Sequence, residues 1–72
     1  MSELADALAS GREREEKLFA GRAHWTARDW LHRGELIRDL VALSNSPVEV
    51  LRLWGQLMAV YEEGHRRFEE GL

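Results

Sequence analysis

Seventy-two residues without a cysteine, 32% of them charged and with a net charge of -3, describe one small domain, 1–72, whose core supplies roughly 3 to 5 kcal/mol unless something reinforces it. Without cysteine neither a disulfide framework nor a thiolate metal site can do so, which leaves association between copies. The acidic balance argues against binding nucleic acid or an anionic membrane through excess positive charge.

One proline, no β-branched run and plentiful Ala, Leu, Glu and Arg predict an all-α chain of three helices. Ser2 caps the first, with apolar positions Leu4, Leu8, Leu18 and Phe19 and a stop at Gly21. The stretch GREREEK (11–17) reads as a solvated helical segment, helped by the Glu13 to Lys17 spacing. Gly11 and that run make residues 1–20 a weak or partly ordered element whose first ten residues fray.

Thr26 with Asp29 three residues later resembles a capping box, so the second helix is placed at 27–43. At 100° per residue, Trp30, Gly34, Ile37 and Val41 share a narrow arc. Leu40 borders it, Leu36 and Leu43 widen it, and Arg28, His32, Glu35 and Asp39 lie opposite. Ser46 at the N-cap, Pro47 at the first helical position and Glu49 at the third start the last helix, 47–69, with the Glu49 carboxylate expected to reach back to the Ser46 amide. Pro47 also forces the second helix to end by Ser44 or Asn45.

The third helix carries Val50, Trp54, Leu57, Tyr61, Gly64 and Phe68 at alternating spacings of four and three, the pattern of a bundle seam. Leu51 and Met58 extend one edge, Leu53 and Val60 the other. So wide an arc needs more than one neighbouring helix, either the first helix or a second copy. The architecture that follows is a helical hairpin of two long antiparallel helices with a shorter N-terminal helix, completed as a four-helix-type bundle by dimerisation. In that homodimer the third helices pair and Trp54, Leu57, Tyr61, His65 and Phe68 lie at the shared core. Gly34 and Gly64, on or beside apolar faces, signal close helix approach. Trp25, in the loop, either caps the end of the core or anchors a partner.

The string LSNSPVEVLR resembles the turn and recognition helix of bacterial helix-turn-helix regulators. The resemblance covers about ten residues and implies a dimeric DNA-binding reading of residues 39–54. Arg52 is the single basic residue between Ser44 and Gln56, Glu49 faces the same side, and Asn45 stands where such turns bury an apolar residue. A third reading is a carboxylate-histidine metal bundle, because Glu62 with His65 and Asp29 with His32 are each three apart and the bend brings Asp29 and Glu62 to one level. His32 nevertheless projects to the polar side, and His65 reads as an interface histidine bonded to Glu62 or Glu69.

Ser10, Ser44 and Ser46 sit at caps and turns, and the chain has no nucleophile elbow, glycine-rich phosphate loop or Ser/His/Asp arrangement. No enzyme and no cofactor is expected. The apolar runs fall far short of the roughly 20 residues that cross a bilayer, and MSELADALAS lacks a basic start followed by an apolar stretch. The expectation is therefore a soluble cytoplasmic protein that contacts a second copy of itself, another protein, or both.

Overall fold

In the computed structural model, which describes residues 2–71, the Ser2 hydroxyl accepts from the Ala5 amide at 3.0 Å and starts α1, Glu3–Glu16, with Glu3 and Asp6 in its first turn. Carboxylates there meet the positive end of the helix dipole. Met1 and Leu72, the outermost residues of the expected domain, lie outside the described residues. The helix stops five residues before the expected Gly21. The Leu18 amide turns back to the Glu15 carbonyl, and Phe19–Arg22, Gly21 included, forms a 3₁₀ turn.

The Thr26 box is complete: the Asp29 amide donates to the Thr26 hydroxyl at 3.3 Å and the Thr26 amide to the Asp29 carboxylate at 2.9 Å. It begins α2, Ala27–Leu43. After a three-residue turn α3 runs from Pro47 to Glu69, roughly 34 Å at 1.5 Å per residue, close to the 37 Å longest dimension of the molecule. The Ser46 hydroxyl accepts from the Glu49 amide. The Glu49 carboxylate does not reach back as expected, because it accepts from the Arg52 guanidinium at 2.6 Å instead. Ser46→Ala, losing one cap bond, is expected to cost about 1 kcal/mol and to lower Tm by roughly 4 to 8 °C. A thermal melt identical to that of the parent chain would refute this.

The fold is all-helical, and no strand forms among the described residues. α3 is central, with α1 and α2 both packed on it and α1 making the more extensive contact. Trp30, Ile37, Leu53, Leu57 and Val60 form the buried core, with Phe19, Trp25 and Val41 packed against it. Gly34 lies under the Tyr61 ring and Gly64 against the Trp30 Cβ, the close approach read from the sequence. No helix of the described residues is long and apolar enough to cross a membrane.

Three sequence readings are corrected. GREREEK is solvated only in part: Glu13, Arg14, Glu16 and Lys17 are exposed, with Lys17 Nζ 3.7 Å from the Glu13 carboxylate, whereas Gly11 and Glu15 are buried. Leu53 and Val60 are not edges of an open stripe but core residues, and the buried side of α3 runs through Leu53, Gln56, Leu57 and Val60. Leu36 and Leu43, read as widening the α2 stripe, and Leu40, read as bordering it, are exposed by half or more. The first two share a cause: α1 covers the side of α3 that carries Gly55 and Ala59, which no hydrophobic pattern marks.

Candidate functional site

The buried side of α3 faces α1 and α2, so its other side, around Trp54 and Met58, is left without a helix, with Tyr61 at its border over Gly34 of α2. Trp54 is 45% exposed, Met58 41%, Tyr61 39% and Phe68 72%. Between this face and α2 lies an apolar groove of about 330 Å³ lined by Ala27, Leu31, Tyr61, Gly64 and Phe68, with Arg28 and His65 beside them. Gly64 deepens it, since a Cβ there would meet the Trp30 Cβ at 3.0 Å. Large aromatic side chains in contiguous exposure are the usual mark of a surface that contacts another molecule.

Of the residues assigned to a shared interface, Trp54, Tyr61, His65 and Phe68 are on this exposed face. Leu57 is not: it is 2% exposed and belongs to the core of the single chain. Trp25 is partly buried, edge-on to Trp30 with ring centroids 4.9 Å apart. The Arg22 guanidinium lies 4.4 Å above its ring. Arg67 holds the loop around it by donating to the Ala23 carbonyl at 2.8 Å, so Trp25 is placed as a cap on the core. Met58 was read only as an edge of the stripe, and Leu31, continued on α2 by nothing larger than Ala27, went unread.

The metal candidates are dispersed by other bonds. Asp29 serves the α2 cap, His32 is exposed, Glu62 pairs with Arg12, and His65 Nε2 is 3.2 Å from Glu69. Among the described residues no group of three or more His, Asp or Glu side chains could hold a metal ion. Arg52, the basic residue of the turn motif, is engaged with Glu49.

Sequence reasoning missed the most elaborate polar cluster. Glu15 is fully buried and is held by Arg33 through both carboxylate oxygens at 3.0 and 2.9 Å, by Arg22 at 2.6 Å and by Gln56 at 2.9 Å. Burial is the largest influence on its pKa and pushes it up. Hydrogen bonds from Arg33, Arg22 and Gln56 outweigh that and bring it from the ordinary 4.5 to about 2. With both of its oxygens bonded, Glu15 clasps α1, the 3₁₀ turn, α2 and α3 together. Its only trace in the sequence is a glutamate in phase with Ala7 and Gly11 at spacings of four.

The chain matches no family model, no curated protein and no solved structure.

Proposed function

We propose that this chain is a small non-catalytic helical factor that works in assembly or regulation by binding another protein surface through the apolar face of α3. The observation that carries the reading is the row of exposed Trp54, Met58, Tyr61 and Phe68, apolar surface that a lone chain leaves in water at a cost proportional to its area. In this proposal α2 and α3 act as an antiparallel hairpin, supported by the pairing of Trp30 with Gly64 and of Gly34 with Tyr61. Two copies complete a four-helix-type bundle in which the third helices pair, and the cytoplasm is the setting.

The DNA-binding alternative has less in its favour. Helix-turn-helix elements diverge at roughly 90 to 120°, whereas α2 and α3 still touch at Trp30 and Gly64, several turns from the bend. The test of the main reading is sedimentation equilibrium across micromolar concentrations. The parent chain is expected to sediment as a dimer, and Met58→Asp combined with Phe68→Asp to sediment as a monomer with an unchanged far-ultraviolet spectrum. A parent chain that is monomeric throughout, or a double variant that still dimerises, would sink it.

A further inference from the structure

We infer that the occupant of the α3 face is the same face of a second copy, set antiparallel, with Leu51 against Phe68, Trp54 against His65 and Met58 against Tyr61. The inference rests on the interaction reading above and adds to it the orientation and register. On the open side of α3 the positions Leu51, Trp54, Met58, Tyr61, His65 and Phe68 alternate in spacing by three and four. This seam is rotated from the one first read in the sequence, whose Leu57 is spent on the core.

Two features select the antiparallel arrangement. The aromatic residues Trp54, Tyr61 and Phe68 occupy one set of alternate positions, and Leu51, Met58 and His65 the other. In parallel pairing each residue meets its own copy, so layers with two aromatic rings alternate with layers of two smaller side chains. In antiparallel pairing one set meets the other, and every layer holds one aromatic ring and one smaller side chain, which fills the interface evenly. Charge gives the same answer. Parallel pairing would align two helix dipoles side by side, and antiparallel pairing opposes them.

The four side chains supply part of the extent: Trp54, Met58, Tyr61 and Phe68 together leave on the order of 400 Å² exposed, about half of the roughly 800 Å² that a standard interface takes from each partner, so the contact must also take in their neighbours. Leu51, His65 and the α2 side of the groove extend the same surface.

The absence of cysteine makes the register directly testable in the full chain with a short bis-maleimide. In the antiparallel dimer, position 68 of one copy lies beside position 51 of the other and roughly 26 Å, 17 residues, from the second position 68. Leu51→Cys mixed with Phe68→Cys is expected to give a covalent dimer, and each variant alone to give none. Trp54→Cys mixed with His65→Cys repeats the test on exposed residues should Leu51→Cys disturb the fold. Efficient linking of Phe68→Cys to itself, or failure of both mixtures while the parent chain sediments as a dimer, would overturn the register and leave the interaction reading standing. A parent chain that sediments as a monomer would overturn both.

Discussion

Gly55→Ala is expected to push α1 off α3 and leave the chain largely unfolded at room temperature. Alanine is the better helix former by about 1 kcal/mol, so a gain would be expected at an ordinary helical glycine. Here the added Cβ would stand 2.0 Å from the Leu8 carbonyl oxygen and 2.8 Å from the Arg12 amide nitrogen. Both are backbone atoms of α1, which no rotamer change can move aside. A single overpacked side chain costs typically 1 to 3 kcal/mol when neighbours can relax. Moving a whole helix also opens the Glu15 clasp, so the loss should exceed that range and approach the roughly 3 to 5 kcal/mol available to a domain of this size. Gly11→Ala should behave alike, because its Cβ would meet the Arg52 carbonyl oxygen at 1.8 Å. Gly21→Ala is the control: nothing lies within 4 Å of that Cβ, and the substitution should stabilise by roughly 0.4 to 1 kcal/mol. Urea titration of the three variants checks the ordering, and a Gly55→Ala midpoint equal to that of the parent would refute the crossing.

This crossing also explains which parts of the fold were legible from residues alone. Thr26 with Asp29 and Ser46 with Pro47 mark helix starts through local chemistry, and Trp30, Gly34, Ile37 and Val41 mark a buried face through periodicity. Both signals survive because they depend on near neighbours or on apolar side chains. The α1–α3 contact depends on neither. Gly11 and Gly55 contribute an absence of side chain, and Glu15 is a charged residue inside a charged run whose partners are 7, 18 and 41 positions away. The buried side of α3 was drawn too wide for the same reason: the first helix was one possible cover, but with nothing to fix where it packs, every apolar residue of α3 competed for one stripe. The actual division gives Leu53, Leu57 and Val60 to the core and leaves Trp54, Met58, Tyr61 and Phe68 outside.

Glu15→Gln at neutral pH is expected to lower stability by about 3 to 5 kcal/mol, the usual consequence of removing one partner from a buried ionic group. Arg22 and Arg33, whose side chains are 12% and 27% exposed, would keep their charges with no carboxylate to meet them. For a chain of this length a loss of that size means tens of degrees in Tm or outright unfolding. Titration of the parent chain gives an independent measure. The Glu15 carboxyl has a folded pKa of about 2 against an ordinary 4.5, so the unfolded chain binds its proton first as pH falls. The stabilisation is therefore complete above about pH 4.5 and is lost as pH falls towards 2, amounting to roughly 3 kcal/mol over that window. A Glu15→Leu, Arg22→Leu, Arg33→Leu chain removes the charges together. It should recover stability relative to Glu15→Gln, because apolar replacement of a whole buried cluster is often neutral or better, and its unfolding midpoint should vary less between pH 4.5 and 2. Urea midpoints of the three chains across that range decide the matter: a parent chain as stable at pH 2 as at pH 5 would mean that the charge on Glu15 does not hold α1 in place.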